Sequence, residues 1–267
     1  MKGQLKYFAC VPYPRVTAEM EKLAAAGLGI EIEVTDPRWI LKLVELPAVK
    51  KLGRALAERG IEVRVQGPFY DLAPGSLDPY IRDHTLSLFL RTVEIAGSLG
   101  AGCVTLYTGF NPLLHSRVID QWSEICRPVW SETAEAADRF NLRVLFANMF
   151  EESPELQLRL IEMVPAGAGG ACLDVANALA CSRRKIGSWV GALAGHLRLV
   201  HLSDNRGRDA GPRPAGGRSL PLKEFYDACV KKSLEPDIVF KMDADRAIES
   251  LQAVRRQGLG QYQMELL

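Results

Sequence analysis

The chemistry-bearing side chains of this sequence fall at the ends of short apolar runs. Glu31 and Glu33 alternate with Ile30 and Ile32, so an extended backbone would put both carboxylates on one face. Buried carboxylates need cationic partners, and Lys241 and Arg64 are the candidates. The pair then has either a structural role or general acid–base work. Lys241 follows the run Ile238-Val239-Phe240. An ammonium donates three hydrogen bonds and accepts none, and a lysine whose pKa is depressed by burial can act as a base or Schiff-base nucleophile. Arg206, Arg208, Arg213 and Arg218 crowd one segment, offset only by Asp204 and Asp209. Guanidinium forks suit phosphate and carboxylate; the bland reading is a solvated loop. Trp39, Tyr70, Tyr107, Phe110 and Phe150 could wall a pocket and stack on a ring or sugar face, or simply pack beneath loops.

The elements that would position these residues alternate along the whole chain. Strands are expected at 4–10, 28–34, 61–66, 102–107, 142–147, 170–174, 197–202 and 237–242, with amphipathic helices at 17–26, 47–59, 86–99, 117–140, 154–163 and 244–256. Eight strands with intervening helices point to an α/β fold, a closed (β/α)8 TIM barrel forming one domain over 1–267. The rival open doubly wound sheet lacks its usual Gly-rich first turn, since Val11-Pro12-Tyr13-Pro14 stands there. Gly27, Gly60 and Gly100 read as helix stops. Segment 205–219 reads as a long loop after strand seven, on the face where barrels carry their chemistry.

Composition narrows the function. The 267 residues carry 33 basic and 32 acidic side chains, a formal charge of +1, so nothing pulls the chain globally toward nucleic acid or anionic membrane. The first residues lack a long apolar leader, and no apolar stretch reaches membrane-spanning length. Six cysteines lie scattered without C-x-x-C spacing, which suits buried thiols in a reducing cytoplasm.

Five segments resemble the xylose-isomerase-like superfamily, the sugar isomerases and endonuclease-IV-type barrels. They are Gln66-Gly67-Pro68-Phe69 with Pro74-Gly75-Ser76, Leu106-Tyr107-Thr108-Gly109-Phe110, Phe146-Ala147-Asn148-Met149-Phe150-Glu151, Leu173-Asp174-Val175-Ala176-Asn177, and Val200-His201-Leu202-Ser203-Asp204-Asn205. The likeness runs in order from about residue 5 to residue 255. It implies a site where His, Glu and Asp side chains hold one to three divalent cations at the strand exits. Read position by position, that site is largely gone. Gln66, Tyr107, Asn177 and Ser203 stand at histidine positions, and Ala147 and Lys241 stand at glutamate positions. Asp209 is followed by no histidine; only Asp174 and His201 are kept. We therefore expect no metal and no other cofactor. Lys241 would then either neutralise Asp174 in the cation's place or face an anionic ligand.

The resulting expectation is a divergent, metal-independent barrel that binds a small anionic ligand and is without assured catalysis. Gln66, Tyr107, Asn148, Asp174, Asn177, Arg206, Arg208 and Arg218 would contact that ligand. If the protein is an enzyme, isomerisation or epimerisation with Glu33, His201 and Lys241 as base and electrophile is favoured. The segment Pro74-Gly75-Ser76-Leu77-Asp78-Pro79 resembles one in enzymes that hydrolyse the nucleotide loop of cobamides; the phosphodiester hydrolysis this resemblance implies would need metal-activated water. DNA repair would need a metal cluster and a basic face. The oligomeric state and a role beside an active paralogue are open at this point.

Overall fold

A computed structural model describes residues 5–42, 46–203 and 221–259. Its strands are β1 (Tyr7–Pro12), β2 (Gly29–Glu33), β3 (Val63–Gln66), β4 (Cys103–Tyr107), β5 (Arg143–Ala147), β6 (Gly169–Asp174), β7 (Leu197–Leu202) and β8 (Asp237–Phe240). They pair in parallel and in chain order, and β8 closes on β1. The helices are α1 (Val16–Ala26), α2 (Pro37–Lys42), α3 (Leu46–Glu58), α4 (Pro79–Leu99), α5 (Pro112–His115), α6 (Ile119–Asp138), α7 (Glu155–Met163), α8 (Val175–Cys181), α9 (Ile186–Leu193), α10 (Leu222–Lys231) and α11 (Ala244–Arg256). This is the (β/α)8 barrel expected from the sequence.

Differences from the expected elements have local causes. β1 runs on to Pro12, beyond the expected limit of residue 10, because Val11 and Pro12 continue the register against Ile32 and Glu33. β8 stops at Phe240, where Met242 N turns back to the Phe240 carbonyl at 2.8 Å, while Lys241 N still reaches Leu202 O at 3.1 Å. Helices α2, α5 and α8 are short, at six, four and seven residues, too brief to show a clear helical period in the sequence. Gly27 and Gly100 cap α1 and α4 at φ 70°, a left-handed conformation that glycine adopts without Cβ strain.

Burial separates into two layers. Apolar residues on the outward strand faces pack against the helices, as do Trp130 and Trp189 from α6 and α9. Inside the barrel, Phe8, Cys10, Cys103, Leu145, Cys172, Leu199 and Val239 fill the middle. At the N-terminal end Arg64 lies over the Phe8 ring, 4.6 Å from its centroid, and donates to Asp237 at 2.7 Å. The period-two alternation that puts these residues inside brings a polar ring to the opposite end.

Candidate functional site

The inward positions at the C-terminal strand ends are Glu33, Gln66, Tyr107, Asp174, His201 and Lys241. Register makes neighbours of several: Glu33 pairs with Gln66, and Asp174 with His201. Lys241 arrives from the residue after β8 and faces Glu33 and Gln66 across β1. One continuous polar network spans the barrel mouth.

Its first half is built on Lys241. The ammonium donates to Glu33 Oε1 at 2.9 Å, to Cys10 Sγ at 3.1 Å and to Gln66 Oε1, and lies 3.8 Å from Glu31 Oε2. Burial pulls the amine's pKa down, but Cys10, Glu31, Glu33 and Tyr107 outweigh it and hold it well above the usual lysine value. The depressed lysine pKa weighed from the sequence is therefore corrected: carboxylates surround this amine and keep it charged. The pairing of Lys241 with Asp174 is corrected too. Glu33 takes the ammonium, while Asp174 is held by Tyr107 and lies beside His201.

The second half is built on His201. Its Nε2 lies 2.9 Å from Glu31 Oε1, and its Nδ1 lies 3.7 Å from Asp174 Oδ2, beyond hydrogen-bond distance. Burial lowers the imidazole pKa, yet Cys172, Glu31 and Asp174 together raise it well above the ordinary histidine value. Burial likewise pushes Glu31 up, but His201 and Lys241 bring it below the usual carboxylate range. The arrangement is an imidazolium between two carboxylates. Tyr107 donates its hydroxyl to Asp174 Oδ2 at 3.3 Å, and burial holds its phenol well above the usual value.

Asn148 fixes the ring from below. Its amide donates to Asp174 O at 2.9 Å and accepts from Asp174 N at 2.8 Å, while Asn177 Nδ2 donates to Asn148 O at 3.1 Å. Asp174 also caps α8 through Asn177 N at 2.9 Å. Asn148 thus positions Asp174 through its backbone, while Asn177 ties back to Asn148 and meets the Asp174 carboxylate with its N–H. The expectation that they contact a ligand finds them engaged with the chain itself.

Two participants escaped the sequence reading, Cys10 and Glu151. Cys10 is tied to Lys241, its position marked only by the two-residue step from Phe8. Of the two cations considered for Glu31, Lys241 lies near it and His201 joins it, whereas Arg64 pairs with Asp237 and Glu62. Glu151, almost fully buried, accepts from Thr108 Oγ1 and from Met149 N at 2.5 Å, clamping the β5 exit to the β4 exit. Burial raises its carboxyl pKa. A Thr-x-Gly turn and an acidic turn after the two strands were visible, but not their contact.

Exposure sorts the groups by what they can do. Glu31 and His201 are 0% and 1% exposed in their side chains, against 27% for Glu33 and 16% for Lys241. Of these four, Glu33 and Lys241 are the ones open to a ligand, so His201 is better placed to hold Glu31 and Asp174 than to touch substrate. Arg206, Arg208 and Arg218 lie outside the described residues. Of the aromatics considered, Tyr107, Phe110 and Phe150 line one cleft, and Tyr70 lies against its wall residue Phe69. Trp39 packs edge-on to Tyr13 instead.

Among the described residues, the donors at the barrel mouth do not fit a divalent cation. Ala147 offers no donor atom, an ammonium stands among the oxygens at the β8 position, and Tyr107 keeps its proton. Among the described residues no three His, Cys, Asp or Glu side chains are grouped to hold a metal ion. No described helix is long and apolar enough to cross a membrane.

Comparison with known proteins places the fold. A curated relative, the uncharacterized protein MJ1311 of Methanocaldococcus jannaschii, is 24% identical over 156 residues, 56% of this chain and 53% of the relative. The match thus spans about half of that protein. The TTHB071 protein from Thermus thermophilus, in a structure soaked with ZnCl2, superposes with TM-score 0.75 at 24% identity, covering 95% of this chain and 99% of that one. A D-tagatose 3-epimerase-like protein gives TM-score 0.78 at 20% identity, covering 93% and 96%. The 3-keto-D-glucoside 4-epimerase YcjR from E. coli gives 0.74 at 15%, covering 95% and 100%. At these identities the structural likenesses speak for the fold alone. The model of the xylose isomerase-like TIM barrel matches residues 20–231, and the chain belongs to that family.

Proposed function

We propose that the chain is a metal-independent member of its family that binds a small ligand at the C-terminal end of the barrel, with the Lys241 ammonium in the place of a cation. The observation that carries this reading is the contact set of Lys241: Glu33, Gln66, Cys10 and Glu31 all face its Nζ. A divalent ion there would meet a fixed positive charge, and the carboxylates that would attract it are already neutralised. Lys241 is fully paired, so recognition of a phosphate or carboxylate on the ligand falls to Arg206, Arg208 and Arg218. Six cysteines, none in a disulfide, and a near-neutral charge support a reducing, cytoplasmic setting and a small-molecule partner in preference to nucleic acid.

Titration calorimetry with D-fructose 6-phosphate and with D-fructose, before and after dialysis against EDTA, tests the reading. Tighter binding of the phosphate, unchanged by EDTA, is the expected result. Affinity lost on dialysis and restored by manganese or zinc would refute metal independence.

One observation favours an active isomerase or epimerase as a second reading. Glu33 and Lys241 touch at 2.9 Å and both reach the mouth. Glu33 could take a proton from the carbon beside a substrate carbonyl while the ammonium, exchanging its bond to Gln66 or Cys10, hydrogen-bonds the oxygen that gains charge. Hydrolysis of a phosphodiester has no such support, because no donor set for a water-activating cation is present among the described residues.

A further inference from the structure

Beside the polar network, the β3, β4 and β5 exits enclose a cleft of about 490 Å³. That volume falls in the range of small-molecule sites, roughly 300–1,000 Å³. Its walls are Phe69, Tyr107, Phe110, Met149 and Phe150, with Leu72 and Pro74 on the β3 side. Phe69 meets Tyr107 edge-on, with centroids 5.2 Å apart, and Tyr70 lies against Phe69 at 4.1 Å. Tyr107 belongs to both places: its ring lines the cleft and its hydroxyl holds Asp174.

Most polar groups around this cleft are engaged with one another, while the exposed Asp71 carboxylate also lines it. Asn111 N donates to His115 Nδ1 at 2.9 Å, and Asn111 Oδ1 accepts from Leu113 N at 3.0 Å. The His115 ring stacks on Trp122 with centroids 5.4 Å apart, and burial lowers its pKa, which favours the uncharged imidazole. Thr108 and Glu151 are bonded to each other. A sugar placed here would find few partners for its hydroxyls, whereas a flat ring would find aromatic faces and a thioether.

We infer that this cleft binds a planar aromatic or heteroaromatic ring, so that the ligand of the barrel carries such a ring beside the polar part that faces Glu33 and Lys241. The inference rests on the proposed ligand site at this end of the barrel, but on neither its charge nor its metal independence. Phe150, 45% exposed, supplies the outer face, and its removal leaves the core intact. Loss of one stacking face weakens ring binding by about tenfold.

The test is ligand-observed NMR and calorimetry of the full chain with indole as the ring probe and D-fructose as the polyol comparator, repeated on Phe150→Ala and on Lys223→Ala, an exposed α10 position outside the cleft. Expected are saturable indole binding, about tenfold weakening in Phe150→Ala, and no change in Lys223→Ala. Indole binding that ignores Phe150→Ala, or its absence while D-fructose shows a Phe150-dependent affinity, would overturn the inference. Phe150→Leu guards against a folding defect, since it keeps apolar bulk and removes only the ring; it should weaken indole as well. A bound metal found at Lys241 would sink the metal-independent reading and leave this result untouched.

Discussion

Replacing Lys241 with glutamate should turn a metal-indifferent barrel into a metal-responsive one. The substitution removes the ammonium that faces Glu33, Glu31 and Gln66 and adds a fourth carboxylate to Glu31, Glu33 and Asp174, with His201 as the remaining cation nearby. Stranding buried charges in this way costs about 3–5 kcal/mol. For a chain of this size that lowers Tm by roughly 6–20 °C. A divalent cation can now enter among the carboxylates. At a hundredfold excess over its Kd it would return about 2.7 kcal/mol, recovering roughly 5–11 °C. The assay is differential scanning calorimetry of wild type, K241E and K241M with manganese, zinc or EDTA. K241E should be destabilised in EDTA and rescued by metal, K241M destabilised with less rescue, and wild type unmoved. A wild-type Tm that rises with micromolar metal, or a K241E variant indifferent to metal, would refute the idea that Lys241 holds a cation's place.

Other expectations follow from the same network. The raised His201 pKa contributes stability that is complete below about pH 6.5 and is lost as pH rises through the folded value, while the lowered Glu31 pKa contributes above about pH 4.5 and is lost as pH falls through its own. Denaturant titrations across pH should therefore show the wild-type advantage over His201→Phe greatest between those limits, and a flat difference would contradict the charged pair. Asn148→Ala removes two bonds to the Asp174 backbone and should cost about 2–4 kcal/mol in urea unfolding at constant m. Glu151→Gln should unfold within about 1 kcal/mol of wild type at pH 7, whereas Glu151→Ala, which leaves Thr108 and Met149 N without their acceptor, should lose about 2–3 kcal/mol.

Much of this architecture was legible because barrels write it locally. Ile and Val ahead of a polar end marked β2 and β3, the apolar run Ala171-Cys172-Leu173 before Asp174 marked β6, and period-two alternation put Glu31 and Glu33 on one inward face. The Asp174-to-Asn177 spacing, read there through family likeness, is also that of a helix cap. What the sequence could not give was which inward side chains meet across the barrel. Arg64 and Gln66 both point inward from β3, but a two-residue step moves a side chain about 6.6 Å along a strand. That step sends Arg64 to Asp237 at the lower end and leaves Gln66 for Lys241. Glu31 and His201 are separated by 170 residues, and no local pattern joins them. The Glu151–Thr108 clamp was hidden for the same reason.

If the Lys241 ammonium stands in a cation's place, little metal should purify with the chain. Inductively coupled plasma mass spectrometry of protein purified without chelators, reporting manganese, zinc, iron, cobalt and nickel per chain, should give a total far below one ion per chain. One or more ions per chain, lost in a His201→Ala, Asp174→Ala double variant, would contradict it.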